Sequence, residues 1–99
     1  MLEWNWRPTG QGTRAVKHAT DAALDTIDDL LQIIRRKPGL REKSRGIFYR
    51  RSNAFLHFHE DATGIYADVR GSQDFERFQV DSPTGRAACL KRIDELLTE

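Results

Sequence analysis

Apolar and polar residues alternate between Gly46 and Val80 in four short runs, GIFYRR, AFLHFH, IYADVR and FERFQV, each rich in β-branched and aromatic residues. Turn-forming residues separate the runs: Ser52-Asn53, Glu60 to Thr63, and Gly71 to Asp74. The pattern predicts an antiparallel meander over 46–80. Folding the chain back at each separator sets Arg51 opposite Ala54, His59 opposite Gly64 and Arg70 opposite Phe75. Tyr49 then meets Leu56, Ile47 meets Phe58, Leu56 meets Ala67, Ala54 meets Val69, Phe58 and Val80 both meet Ile65, and Ala67 meets Phe78. All three hairpins put apolar residues on one face, and a one-residue slip in any of them would mix the two sets. The opposite face carries Phe48, Arg50, Phe55, His57, His59, Tyr66, Asp68, Arg70, Phe75, Arg77 and Gln79.

On either side of the meander the period lengthens. Val16, Ala19, Ala23, Ile27, Leu30, Leu31 and Ile34 recur every three or four positions, which predicts a helix over 13–37. Thr13 or Thr20 caps its start, a break near His18 to Thr20 is compatible with its length, and Pro38-Gly39 stops it. After Asp81, Ser82 is a good N-cap and Pro83 suits the first helical position. Ala87, Leu90, Ile93, Leu96 and Leu97 then mark a second amphipathic helix over 83–98. Residues 1–12 alternate Leu2, Trp4 and Trp6 before Pro8, Gly10 and Gly12, as a short extended arm or an edge strand does. The expected architecture is a single two-layer α+β domain, with both helices on the core face of a four-stranded sheet. Gly39 to Arg45 is expected to be a basic loop.

Composition narrows the class. The 99 residues are 38% hydrophobic and 31% charged, as in an ordinary globular domain. No apolar run approaches the roughly 20 residues that cross a bilayer, and MLEWNWRPTG does not read as a secretory leader, so a cytoplasmic location without membrane association is expected. The single Cys89 excludes an internal disulfide and, inside an apolar helical pattern, reads as a buried structural thiol. The net charge of +1 hides an asymmetry: from Arg35 to Arg51, eight basic residues face one acid, Glu42. That block is either an anion or nucleic-acid footprint or a solvated loop beside a helix end. Asp21, Asp25, Asp28 and Asp29 read as a solvated helix face rather than metal ligands.

Candidate chemistry concentrates on the mixed sheet face. His57 and His59 point the same way, and Asp68 shares their face, but the predicted register sets Asp68 opposite Phe55 and beside Arg77. The expectation is therefore an Asp68–Arg77 cross-strand ion pair with half-exposed histidines, no metal site and no cofactor. There is no phosphate-cradling glycine loop, nucleophile elbow or HExxH motif, and no catalytic residue is assigned. The aromatics interleaved with arginines suit base stacking and phosphate neutralisation, or burial under the Trp4–Trp6 arm or a second copy of the chain. The candidate ligand-binding residues are Arg50, Phe55, His57, Tyr66, Arg70, Phe75 and Arg77.

The segment YRRSNAFLHFHEDATGIYADVR, followed by FERFQV and a closing helix, resembles small bacterial α+β proteins of helix–meander–helix type and, over residues 38–98, the MmcQ/YjbR group. The resemblance is one of pattern and carries no residue role over. It implies a small bacterial protein of α+β layout. Because the chain itself shows no catalytic motif and keeps an aromatic sheet face, the expected function is a non-enzymatic binding or protein-interaction module, with a second copy of itself or another protein as partner. If the N-terminal arm is a strand, the order of elements is similar in outline to RelE/ParE-type toxins, although the acidic first helix and the extra strand depart from that pattern. The alternative function is thus a nucleic-acid binder or an RNase-like toxin using the basic, aromatic face.

Overall fold

The computed structural model describes residues 17–98. The N-terminal arm, with Trp4 and Trp6, and the first residues of the expected helix lie outside that range. Thr20 caps the first helix, accepting a hydrogen bond from the Ala23 N–H, so α1 runs Asp21–Thr26 and the Lys17–His18 pair before it is a strand, β1. The single helix expected over 13–37 is therefore shorter and divided. Ile27, at φ −117°, separates α1 from α2 (Asp28–Arg35), and its N–H bonds to Leu24 O at 3.1 Å. The bend keeps Leu24, Ile27, Leu30, Leu31 and Ile34 buried against the sheet.

The sheet is antiparallel and has one strand more than expected on its main path, which runs β2 (Leu40–Ser44), β3 (Ile47–Arg50), β4 (Asn53–Asp61), β5 (Gly64–Arg70), β6 (Phe75–Gln79). The expected basic loop at 39–45 is β2. Its Leu40 and Glu42 are half-buried while Arg41 and Lys43 are exposed, the alternation of a charged edge strand that discourages pairing with another chain. Gly46 turns β2 into β3 at φ 80°, where an added Cβ would stand 3.2 Å from Leu24.

Two of the three expected registers are corrected. Around the Arg51-Ser52 turn, with Arg51 at φ 60°, Arg50 pairs with Asn53 and Tyr49 with Ala54, but Phe48 pairs with Leu56. The step leaves Phe55 as the extra residue of a bulge. Phe48 thereby moves from the mixed face into the core, at 1% exposure, and Phe55 also joins the core cluster. The β4–β5 hairpin turns at Ala62-Thr63, its centre one residue later than expected, which shifts the register by two, so that Leu56 pairs with Val69, His57 with Asp68 and Phe58 with Ala67. Asp61 closes this turn by accepting hydrogen bonds from the N–H and hydroxyl of Thr63. The β5–β6 register, Arg70 with Phe75 and Ala67 with Phe78, is the expected one.

The last helix, α3 (Pro83–Leu97), starts where expected, with Ser82 accepting from the Gly85 N–H. Cys89, Ile93 and Leu96 are buried on it, whereas Ala87 is exposed. Core residues of the helices meet Leu56, Phe58, Ala67, Val69 and Val80 of the sheet in one cluster. At nine residues, β4 outruns its neighbour on one side. β3 pairs only with its first half, so the edge beyond is open, and β1 fills it through Lys17↔Glu60 and His18↔His59. The Ala19 N–H adds a bond to Phe58 O at 3.1 Å.

Candidate functional site

Directly opposed residues of an antiparallel pair project on the same side of the sheet. The β4–β5 register therefore sets Asp68 beside His57 and diagonal to His59, and the β5–β6 register adds Arg77 opposite Asp68. Arg77 grips the carboxylate with both arms, Nε to Oδ1 at 2.8 Å and a terminal nitrogen to Oδ2 at 2.9 Å, as expected from the sequence. The histidines are not half-exposed, as the sequence suggested: His57, His59 and Asp68 are all within 2% of complete burial. Nor is Asp68 remote from them. Its Oδ2 lies 3.2 Å from His59 Nε2 and 4.0 Å from His57 Nε2.

The two imidazoles meet edge to face at 4.4 Å, and Phe75 packs edge-on against His57 at 5.2 Å. His18, expected on a helix, stands instead on β1 across from His59, its ring stacked 5.7 Å from that of His59 and 6.1 Å from His57. Burial, reinforced by the neighbouring His59, pushes the His57 pKa down to about 2, so the ring is neutral. Burial alone would raise the Asp68 carboxyl, but Arg77 and then His59 outweigh it and hold the group at about 2. Strand pairing thus gathers two imidazoles, that of His57 neutral, and an ionised carboxylate in one buried centre. Among the described residues, His57, His59 and Asp68 are the group whose side chains could hold a metal ion.

A second feature lies at the other end of β4. The β3–β4 and β5–β6 turns come together over the C-terminal part of α3, enclosing a pocket of about 150 Å³ lined by Arg50, Arg51, Asn53, Ala54, Phe55, Arg70, Gly71, Ser72 and Leu96. Arg70 is fixed there: its Nε donates to Ala54 O at 2.7 Å, and its guanidinium lies 4.7 Å from the centre of the Phe75 ring. A lining that combines three arginines with Phe55 and Leu96 suits an anion with an apolar portion.

The candidate residues named from the sequence thus fall into two places. Arg50, Phe55 and Arg70 line the pocket, while His57 and Arg77 belong to the buried centre. Phe75 touches both, and the Tyr66 ring lies 5.7 Å from the Arg77 guanidinium with its hydroxyl on Thr63. Sequence reasoning missed Arg51, Ser72 and Leu96, which lie in turns or on the other layer and share no period with the strands, and Asn53, which it assigned to a turn but which begins β4. It also missed His18 as a neighbour of the other histidines.

At least half of the basic block is engaged in pairs. Arg35 binds Glu42 at 2.5 Å, Lys37 binds Asp94 at 2.7 Å, Arg45 bridges Asp21 and Asp25, and Lys43 lies 4.6 Å from the centre of the Tyr49 ring. Arg45, with Arg86 on Asp29 and with Asp28 lying 3.9 Å from both Arg35 and Arg45, also accounts for the acidic face of the first helices. Cys89 is fully buried, and burial pushes its thiol up to about 12, the environment of an inert structural cysteine. Comparison of the chain with protein-family models, with curated proteins and with solved structures found no match. The resemblance of residues 38–98 to the MmcQ/YjbR group accordingly rests on pattern alone.

Proposed function

We propose that the chain is a non-enzymatic binding module whose ligand is a small anion seated in the arginine-lined pocket. The observation that carries this reading is the convergence of Arg50, Arg51 and Arg70 from two hairpin turns around Phe55 and Leu96. Guanidinium groups present rigid pairs of donors that match the oxygens of phosphate and carboxylate, and a partly enclosed apolar wall strengthens such contacts by excluding water. Binding rather than catalysis is favoured by the lining, in which the described residues are arginines, an amide, one serine and apolar groups. The proposal includes a cytoplasmic setting, and a second copy of the chain or another protein as partner. No helix among the described residues is long and apolar enough to cross a membrane.

The nucleic-acid alternative drew on an open aromatic face and a free basic block. Phe48 and Phe55 are in the core cluster, and Arg35, Lys37 and Arg45 are in ion pairs, which weakens both premises. The deciding experiment is a calorimetric titration with inorganic phosphate, phenyl phosphate and a short single-stranded RNA. Phenyl phosphate should bind more tightly than phosphate, and Arg51→Ala and Arg70→Ala should each weaken it by roughly tenfold, about the worth of one charge-assisted contact. Salt-sensitive RNA binding with no response to either phosphate would replace this reading with the nucleic-acid one.

A further inference from the structure

We propose that His57, His59 and Asp68 form a structural site for a divalent transition-metal ion of the zinc type, with His18 as the fourth ligand. The site is separate from the arginine pocket and does not depend on it.

The donor set comes first. Imidazole nitrogens with a single carboxylate suit zinc and its neighbours, whereas calcium and magnesium require shells built almost wholly of oxygen. Metal–ligand distances of about 2.0–2.2 Å in a tetrahedron place donor atoms roughly 3.3–3.5 Å apart. In the protein, His59 Nε2 and His57 Nε2 stand 3.2 and 4.0 Å from Asp68 Oδ2, values that bracket that separation. The donor atoms of all three residues lie within 4.8 Å of one another, so side-chain shifts of about an ångström close the shell.

Asp68 can ligate without releasing Arg77. A carboxylate offers about four acceptor positions, and Arg77 uses one on each oxygen. Arg77 then becomes the outer partner that orients the ligand, and its side chain, 37% exposed, keeps its charge in contact with water. The nitrogen that faces the ion must carry a lone pair, so in the bound form each imidazole holds its proton on the other nitrogen. His18 enters from β1. It is the cross-strand partner of His59, its ring already stacks on that residue, and its exposed position gives the ion a route in.

Burial decides the role. With His57, His59 and Asp68 at most 2% exposed, and His18 swinging in to complete a shell of four protein ligands, no position would be left open for substrate, which is the arrangement of a structural rather than a catalytic site. Such an ion would tie β1, β4 and β5 together and hold the two-residue β1 on the edge of β4.

The test uses the untagged full chain, stripped of metal with a chelator and titrated with zinc or cobalt(II). One equivalent should bind, the cobalt form should show the intense visible bands of tetrahedral coordination, and magnesium should not compete. His57→Asn and His59→Asn should each weaken zinc binding roughly a hundredfold or more. Should either fail to fold, His18→Ala, at an exposed position, should keep the circular dichroism of the parent, weaken zinc binding roughly tenfold or more, and alter the cobalt spectrum. Binding of less than one equivalent by the parent chain overturns the proposal. So does a site that survives unchanged in the His59 or His18 variant, since the ion would then sit elsewhere.

Discussion

Replacing Arg77 by Ala removes both arms that hold Asp68, and the cost can be worked from the geometry. Two charge-assisted hydrogen bonds, at 2.8 and 2.9 Å, disappear. The carboxylate left behind is 3% exposed, so water cannot readily replace them. Removing one partner of a buried ion pair typically costs about 3–5 kcal/mol. Arg77 is itself 37% exposed and partly solvated, and His59 remains 3.2 Å from the carboxylate, which together move the expectation to about 3 kcal/mol. Urea unfolding in the presence of a chelator, so that no metal contributes, should show a lower midpoint with an unchanged slope. The cycle of Arg77→Ala, Asp68→Asn and the double variant removes the separate contribution of the Arg77–Tyr66 contact. It should return a coupling of about 2 kcal/mol. A single-variant cost under about 1 kcal/mol, or a coupling under about 0.5 kcal/mol, would match an exposed surface pair. Either result would refute the reading of Asp68–Arg77 as an ion pair held by a buried carboxylate.

Cys89 and Gly85 supply two more expectations. Because burial pushes the Cys89 thiol up to about 12, the folded chain keeps its proton above about pH 8.5, where the unfolded chain releases it. Stability from this group is therefore complete below about pH 8.5 and falls by about 1.4 kcal/mol per pH unit as the pH rises towards 12; urea midpoints between pH 7 and 10 should fall less steeply in Cys89→Ala, and parallel profiles would sink the assignment. Gly85→Ala should destabilise by about 2 kcal/mol despite the better helix propensity of Ala, since the new Cβ would stand 1.9 Å from the backbone oxygen of Gln79; a stabilised variant would mean that α3 does not approach the end of β6 so closely.

Much of the fold was legible because apolar period and turn chemistry are local properties. Ser82-Pro83 marked the start of α3 within the chain itself, and Gly71 to Asp74 carried enough turn signal to set the β5–β6 pairing. The β4–β5 hairpin shows the limit of that reasoning. A shift by two residues leaves every side chain on its own face, because the strand period is two, so sorting Leu56, Phe58, Ala67 and Val69 into the core could not detect it. Yet the same shift moves Asp68 from opposite Phe55 to opposite His57, and that change alone converts three unrelated polar residues into a buried centre. Likewise, charges on an exposed edge strand resemble those of a loop, which concealed β2.

What the sequence by itself determined is most of the set of residues that must leave water: the helix stripe Ala23, Ile27, Leu30, Leu31 and Ile34, the closing-helix residues Cys89, Ile93 and Leu96, and much of the inward face of the strands. It also determined the Asp68–Arg77 pairing, since opposite charges across a hairpin with a clear turn have few alternatives. Only the tertiary structure decided where the polar residues meet. The bulge at Phe55 moved Phe48 into the core, the extra length of β4 left an edge for β1 to bring His18 beside His59, and two distant turns met over α3 to gather the arginines. Each of these depends on chain closure over tens of residues. Local pattern carries no record of such closure, because hydrophobic burial selects a face, whereas register and backbone hydrogen bonding select the partner.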